Sequence, residues 1–587
     1  MHLRIMTMAA LTAASLQLSA QTLEKNFKEL SNGNPISASV FCADPTALDY
    51  NGRLYVYGSN DHQQFIKNNK KNGNGYGDIK SIVVFSTDDL VNWTFHGTID
   101  TKKICSGWTS NPWYQGYGVS WAPSVVWRTK EDGTEEFFLY FCNSSHGVGV
   151  LKANSPVGPW KSPLSKLMIH RDTKGATPCS AVFDPGVVID ENGVGWITFG
   201  GLDPVDGGTD IQPKNARIAK LKPSMTAIDG SIVKIPAPYH FEANELNVID
   251  GKFVFTYCSN WADRKDADWS AYKKEQGISL SKPDKCTMCY MVSDDPMNPD
   301  SWVYKGVYGK HPGFPSPNNH SHLHKFQGNY YYIYHWGPLM QKMKDGGAID
   351  SSCDGYRSIC VNKATVNEET QKITSVNLSM TGAAAIKNLD PYALQEAETT
   401  ANSGGVMYED YKNVETNTKV STLGNDASQN MYVKMKTGAW TMVRNADFGE
   451  EGAKSFMLRV KGTGKMEIRF SKSSRDTKAT IEFASADWKD YTIDVDPEAF
   501  KGKHSLYFVF DEADKVQFDA WQFSHEPAPN GIFPISTPAA EKPTALFDLN
   551  GHRLTSGTPY RGVVIEQYQD GNGKTRSRKR LSANTVH

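Results

Sequence analysis

The sequence predicts an all-β protein, a β-propeller followed by a β-sandwich and a short β tail. Three observations predict it. Between residues 30 and 388 the chain is a succession of short alternating apolar runs joined by NG, DG, ENG and QG turns, with no amphipathic helix of normal length between them. The runs recur as one unit: an acidic residue near a strand start, a turn, an aromatic-rich strand and a cluster of small residues. Imperfect repetition of that kind favours a propeller over one sandwich, with two stacked sandwiches as the alternative. Near 389 the register changes, and the strands from about 392 to 526 read as a β-sandwich.

In chain order, the first element is "MHLRIMTMAALTAASLQLSAQTLEKN", with basic residues, an apolar run and then Ser19-Ala20 before Gln21. This reads as a cleavable export signal over 1–20, too short to cross a bilayer. It predicts a periplasmic or extracellular protein with no membrane span. No Cys stands just after the apolar run, so a lipid anchor is not expected.

The propeller strands follow: "GRLYVYGSND", "KSIVVFST", "SVVWRTKEDGTEEFFLYFC", "GVVIDENGVGWITFGG", "ELNVIDGKFVFTYCSN" and "HLHKFQGNYYYIYHW". The sandwich strands are "AWTMVRNADFG", "AKSFMLRVKG", "GKMEIRFS", "YTIDV", "HSLYFVF" and "QFDAWQFS". A Pro-rich joint, "HEPAPNGIFPISTPAAEKP", then leads to a tail over 540–587 with "TALFDLNGHRL" and "GVVIEQY". Its basic "KTRSRKRL" reads as a solvated end. The nine Cys are an odd number, so one at least stays unpaired. Cys286 and Cys289 form a lone CxxC with no second pair, and spacing leaves open whether Cys353 and Cys360 bridge.

Charge narrows the partner. With 63 basic and 64 acidic residues the net charge is −1, which lacks the footprint of a nucleic-acid or membrane-surface binder. A neutral polymer matches better, and 14 Trp and 26 Tyr supply rings that suit sugar faces.

Three acidic residues sit at strand mouths: Asp44 in "CADP", Asp184 in "VFDPG" and Glu242 in "HFEANE". Two precede Pro, which removes a backbone donor and fixes the chain locally. Inner-strand starts line one end of a propeller channel, so carboxylates from different blades can converge there. Convergence raises their pKa values unequally and separates an acid from a base, the pair that glycoside hydrolysis needs. Each alone also reads as a turn-capping residue.

The segments "NPISASVFCADPTALDYNGRLYVYGSND", "SWAPSVVW", "FDPGVVID", "HFEANELNVIDGKFVFTY" and "NNHSHLHKFQGNYYYIYHW" together resemble glycoside hydrolase family 43, in its arabinofuranosidase and xylosidase branch. The resemblance implies a five-bladed propeller and inversion of configuration in one displacement. It implies Asp44 as general base, Glu242 as general acid and Asp184 as the carboxylate that tunes and orients the acid. Base and acid are then expected roughly 6.5–9.5 Å apart, leaving room for a water. Glu245 is the rival acid, and "EAN" replaces the commoner Glu-Gly-Pro or Glu-Ala-Ser. His320 occupies the position of a channel histidine that in relatives lies beside a calcium or water cluster. Alternation along a strand sends His320, His322 and His324 to one face; a catalytic zinc there is disfavoured for want of nearby Cys or Asp ligands. Arg357 resembles the channel arginine that binds a sugar hydroxyl, with a plain surface arginine as the other reading. Trp108, Trp113, Tyr114, Tyr117 and Trp121 crowd what reads as a loop over the rim, and Trp121 belongs to the shared motif.

The second region, with "LQEAE", "GAWTMVRNADFG", "AKSFMLRVKG", "MEIRFS" and "FDAWQF", resembles carbohydrate-binding module family 6, a calcium-stabilised jelly-roll sandwich. The resemblance implies Glu396, Glu398 and Asp519 as structural calcium ligands, in keeping with hard oxygen donors. It places Tyr432 and Trp488 as two rings that sandwich a sugar, while Gln517 replaces the Asn often found before the last strand's Asp. The tail is similar to short C-terminal modules on exported enzymes of Bacteroidetes bacteria.

Together these imply an exported bacterial inverting hydrolase that removes α-L-arabinofuranosyl groups from arabinoxylan-type hemicellulose, with xylan oligosaccharides as partners. Catalysis is expected to need no cofactor, with calcium structural in the module and admitted in the propeller channel. β-Xylosidase or dual activity is the close alternative, and a catalytically inactive carbohydrate-binding protein a distant one. A fructan-cleaving relative would carry a Trp-Met-Asn-Asp-Pro-Asn opening, which Asp44 lacks.

Overall fold

The computed structural model describes residues 22–106, 108, 118–313, 318–413 and 431–529, and the tail segments 545–548, 553–554, 562–569 and 575–582. The export signal expected over 1–20 and the aromatics Trp113, Tyr114 and Tyr117 lie outside these residues. Strands dominate the regular secondary structure of the described residues. No described helix is long and apolar enough to cross a membrane.

Up to residue 374 the strands form successive antiparallel sheets, each written here from its first strand outward. The first is β1 (Ala43–Tyr50), β2 (Arg53–Ser59), β3 (Ile82–Thr87) and β4 (Trp93–Ile99). The second is β5 (Trp121–Thr129), β6 (Glu135–Cys142), β7 (Gly147–Ala153) and β8 (Ile169–His170). The third is β9 (Gly186–Ile189), β10 (Gly195–Phe199), β11 (Arg217–Leu221) and β12 (Ile228–Lys234). The fourth is β13 (His240–Ile249), β14 (Lys252–Ser259), β15 (Met288–Ser293) and β16 (Val303–Gly309). The fifth is β17 (Ser321–Phe326), β18 (Asn329–Trp336), β19 (Ser358–Asn367) and β20 (Lys372–Thr374). The first strands touch in cyclic order, β1 to β5, β9, β13 and β17, and β17 returns to β1. A channel therefore runs between them, and separate apolar cores fill the spaces between neighbouring sheets.

Helices do interrupt the strands, contrary to the sequence expectation. Besides α1 (Asp61–Lys67), whose N-cap Asn60 accepts from the Gln63 N–H, there are α2 (Asp266–Gln276) and α3 (Pro338–Asp345). α2 escapes notice because only Trp269 and Tyr272 are buried on an otherwise polar helix.

The second region pairs β21 (Gln395–Glu396), β23 (Asn402–Gly404), β24 (Tyr411–Asn413), β25 (Met431–Met435), β26 (Trp440–Asp447), β27 (Ser455–Arg469), β28 (Thr477–Asp494) and β29 (Lys503–Ser524) in one sheet system. It is fused to the first region rather than hung from it. Strand β22 (Thr399–Thr400) extends the first sheet by pairing Thr399 with Thr94 and Thr400 with Trp93. Asn92 donates to Arg444 O at 2.9 Å and accepts from the Arg444 N–H at 2.8 Å, so its amide is satisfied across the boundary. Beneath these contacts one apolar core continues from Val40, Phe85 and Phe95 through Tyr408 and Tyr411 to Phe508 and Trp521. Each large side chain buried there contributes roughly 1.5–3 kcal/mol.

In the tail, β30 (Ala545–Asp548), β31 (Arg553–Leu554), β32 (Gly562–Gln569) and β33 (Thr575–Ser582) form a small sheet around Leu546 and Val564. The basic run lies in a paired strand, β33. Cys286 and Cys289 are buried thiols, and so are Cys353 and Cys360; neither pair forms a disulfide.

Candidate active site

The mouth of the channel is built by a backbone device repeated from sheet to sheet. Asp44, Ala122, Asp184 and Ala243 have φ of 49°, 41°, 48° and 60°, a left-handed conformation that non-glycine residues rarely adopt. Asp44 and Ala122 are the second and Ala243 the fourth residue of the first strand of their sheets, and Asp184 lies two residues before its own. At three of them the pairing register slips: between Ala43 and Thr46, between Trp121 and Ser124, and between Glu242 and Glu245. A bulge there re-aims the side chains at the strand mouth. Pro45, Pro123 and Pro185 follow the left-handed residue in three sheets, and Asn244 does so in the fourth. Strain of about 1–3 kcal/mol per such residue persists only where surroundings enforce it, and it clusters at functional sites.

This device brings together the three carboxylates expected from the sequence. Asp44 is buried, and Arg357 Nη1 donates to its Oδ1 at 2.7 Å. The Asp44 N–H donates to His335 Nδ1 at 3.1 Å. Although burial opposes ionisation, the guanidinium and His335 hold the Asp44 carboxyl far below the usual carboxylate range. Asp184 is also buried, and its Oδ2 accepts from the Ala243 N–H at 2.8 Å. Burial, helped by the Asp44 charge, pushes Asp184 up to about 7. Glu242 is partly open to solvent, and its Oε1 has no hydrogen-bond partner among the described residues. Desolvation, then the charges of Asp184 and Asp44, push its pKa well up. The cluster thus holds one carboxyl ionised and another protonated, the division that acid–base chemistry requires.

Arg357 is buried, not a surface arginine. Its Nε and Nη2 lie 2.9 and 2.8 Å from the two oxygens of Asp61, and its Nη1 also donates to Asn318 Oδ1 at 3.0 Å. Its guanidinium covers the Tyr76 ring at 5.0 Å. Trp121 Nε1 donates to Tyr76 O at 3.1 Å, which places this half-buried indole beside the same cluster. Trp108, by contrast, is core: it is buried against Phe141 and donates to Ser162 Oγ at 2.7 Å.

The histidines do share a face. His320 Nδ1 is 3.7 Å from Asp44 Oδ1 and its Nε2 4.0 Å from Glu245 Oε1. His322 Nδ1 is 3.0 Å from Glu245 Oε2, and His322 stacks on His324 at 5.5 Å. Burial pushes His320 down to about 3 and His322 to about 4, so both are neutral. Glu245, the rival acid, is deeply buried and turned toward His322, and desolvation raises its pKa. The "EAN" departure also has a structural reason. Asn244 donates to Asp184 O at 3.0 Å and to Gly200 O at 2.8 Å, tying the fourth strand mouth to the third.

Sequence reasoning passed over Asp61, His335, Tyr76, Asn318 and Cys142, whose thiol lies 3.6 Å from Asp184 Oδ1. Asp61 closes the "YGSND" turn, where nothing local distinguishes it from a helix-starting acid.

In the second region the expected pairs are arranged differently. Tyr432 is buried and meets Trp488 edge-on, at 5.5 Å and 62°, so the two rings fill each other's space rather than flank a sugar. Glu396 lies opposite Ala520 and the Ala397 N–H donates to Asp519 O, so the acids are neighbours. Asp519 Oδ2, however, faces Arg459 Nε at 3.0 Å, and among the described residues no cluster of three or more His, Cys, Asp or Glu suited to a metal forms, here or in the channel. Arg459 engages only one oxygen of Asp519, and buried carboxylate oxygens of Glu396, Glu398 and Asp519 remain at this edge, hard donors of the kind calcium takes.

Residues 32–336 match the family model for glycosyl hydrolases family 43, and residues 396–525 that for carbohydrate binding module (family 6). An arabinoxylan arabinofuranohydrolase of Bacillus subtilis (strain 168) is 33% identical over 513 residues, covering 85% of this chain and 93% of the relative. One of Paenibacillus polymyxa is 32% identical over 523 residues, covering 85% of this chain and 76% of the relative. A solved Bacillus subtilis family 43 arabinoxylan arabinofuranohydrolase, in complex with cellotetraose, superposes with a TM-score of 0.73 at 32% identity, covering 86% of this chain and 99% of that one.

Proposed function

The chain belongs to glycosyl hydrolase family 43 and carries a family 6 carbohydrate-binding module, and from that premise we propose that it removes α-L-arabinofuranosyl groups from arabinoxylan-type hemicellulose in one inverting displacement. The observation that carries the reading is the opposed electrostatics of Asp44 and Glu242 at one strand-mouth cluster. The names of the two relatives that span most of this chain supply the substrate class.

In this reading Asp44, held ionised by Arg357, takes a proton from a water as that water's oxygen attacks the anomeric carbon. The glycosidic C–O bond breaks, and Glu242 delivers its proton to the departing oxygen. Asp184 positions the acid through the Ala243 N–H and keeps it protonated by its own negative charge when ionised. Trp121, His320 and Arg357 shape the arabinose pocket. Each carboxylate comes from a different sheet of a ring that we read as a five-bladed propeller.

We take 30–388 as the catalytic domain, 392–526 as a jelly-roll binding module and 540–587 as a tail module, with 1–20 directing export. The module keeps the enzyme near polymer and raises local substrate concentration. Because Tyr432 is buried, sugar contact there falls to Trp488, which is partly open.

The test is which sugar leaves arabinoxylan. L-arabinose with inverted configuration, seen by proton NMR of the fresh product, supports the reading. Xylose as the main product would move the chain to the xylosidase branch.

A further inference from the structure

The second region reaches into the first at one short turn, and the helix that it grips carries a residue of the acid–base cluster. Helix α1 begins at Asp61, whose carboxylate accepts from Arg357 Nε and Nη2 and also from the Arg357 N–H at 3.0 Å. Facing that helix are Tyr408 and Glu409, consecutive residues just before β24.

Glu409 holds α1 at both ends. Its Oε2 lies 3.4 Å from His62 Nε2 in the first turn, and its Oε1 pairs at 2.9 Å with Lys70 Nζ, just beyond the last turn. The other nitrogen of His62 fixes the tautomer. The Phe41 N–H donates to Nδ1 at 3.3 Å, so the ring proton stands on Nε2 and faces the carboxylate. The imidazole is fully buried, stacked between Phe41 at 5.3 Å and Tyr408 at 4.8 Å. Tyr408 secures the cap. The Asn60 side chain, which accepts from the Gln63 N–H to cap α1, donates to Tyr408 Oη at 3.4 Å. The Tyr408 N–H in turn donates to Ser39 O at 3.2 Å. A helix of seven residues has too few internal hydrogen bonds to hold its own position, so its neighbours set where Asp61 points.

We infer, on the reading of Asp44 as general base, that Glu409 and Tyr408 of the binding module are positioning residues for catalysis: they fix helix α1 and, through Asp61 and Arg357, the orientation of Asp44. The module then does more than hold polymer. It completes the support of the base from outside the catalytic sheets. The route is short and every contact in it is direct: module turn to helix, helix to Arg357, Arg357 to Asp44.

The test uses the full-length enzyme and 4-nitrophenyl α-L-arabinofuranoside, a substrate too small to need the module's grip on polymer. In Glu409→Ala we expect kcat/KM to fall about 3- to 30-fold, its acid limb to move upward, and the loss to be non-additive with that of Arg357→Lys. Glu409→Gln keeps an acceptor for the His62 Nε2–H and should lose less. Tyr408→Phe removes only the hydroxyl at Asn60 and should move the limb in the same direction. Where Glu409→Ala fails to fold, these two variants carry the test. Ile481→Ala, in the module's part of the core, should lower the melting temperature without moving the limb, which separates positioning from general stability. An unmoved limb in all three Glu409 and Tyr408 variants, with only the melting temperature changed, would overturn the inference. An unmoved limb in Arg357→Ala as well would instead sink the assignment of Asp44 beneath it.

Discussion

Arg357 holds Asp44 with Nη1, 2.7 Å from Oδ1, while its other two guanidinium nitrogens are held by Asp61. The second carboxylate keeps the fork in one orientation, so the base feels a fixed positive charge instead of a mobile one. All three side chains are buried, which strengthens their interaction and makes breaking it costly.

Replacing Arg357 by Ala removes the charge that holds Asp44 low. The base then protonates at higher pH, so the acid limb of the kcat/KM profile moves upward, and Asp61 is left buried without its partner. Stability should fall by about 3–5 kcal/mol. Arg357→Lys keeps a charge but loses the fork, so its limb should shift less. pH–rate profiles on 4-nitrophenyl α-L-arabinofuranoside and urea melts read both effects. An acid limb that stays put in Arg357→Ala refutes the electrostatic role.

Glu242→Gln and Asp44→Asn should separate by leaving group. Loss of the acid costs about 10²- to 10⁴-fold on arabinoxylan but far less on the aryl glycoside, whose phenolate needs little protonation. Loss of the base should depress both substrates alike. Steady-state kinetics on the two substrates settle the roles, and equal loss in Glu242→Gln would transfer the acid elsewhere.

Asp184 shapes stability as well as rate. Its pKa rises from 3.8 to about 7 on folding, so between those values the native state keeps a proton that the unfolded chain has released. Stability therefore declines as pH rises from about 4 to about 7 and levels off above. Asp184→Asn should abolish that slope and gain on the order of 2–4 kcal/mol relative to the parent at pH 7.5 compared with pH 4. It should also move the basic limb of activity downward, since Glu242 loses a negative neighbour. Urea melts at the two pH values check the first point; an unchanged difference would contradict it.

The shared core predicts joint unfolding. Val40, Phe85, Phe95, Tyr408, Tyr411, Phe508 and Trp521 belong to one cluster, so truncation after 388 exposes a large apolar face. The full chain should melt its catalytic and binding regions in one calorimetric transition, and the truncated form should aggregate. Two independent transitions with a soluble, equally stable fragment would show the boundary to be loose.

The acidic pattern "CADP", "VFDP", "HFEANE" was legible because each carries a local signature of charge beside an apolar residue and a proline or small residue. The partners of those acids were not. Asp61 and His335 lie 296 and 291 positions in sequence from the residues they hold, Arg357 and Asp44, and no local pattern marks such a pairing. Trp488 was visible as an aromatic at a plausible place, yet its packing onto Tyr432 depends on two strands meeting.

By itself the sequence determined what short-range physics controls: alternating strands, turns between them, repeated units, and which residues stand at strand mouths. Only the tertiary structure decided which charges meet, that the two regions share a core through β22, and that an arginine occupies Asp519. Those outcomes come from ring closure and burial. They bring groups hundreds of residues apart within a few ångströms in a poorly solvated space, where position rather than residue type sets protonation.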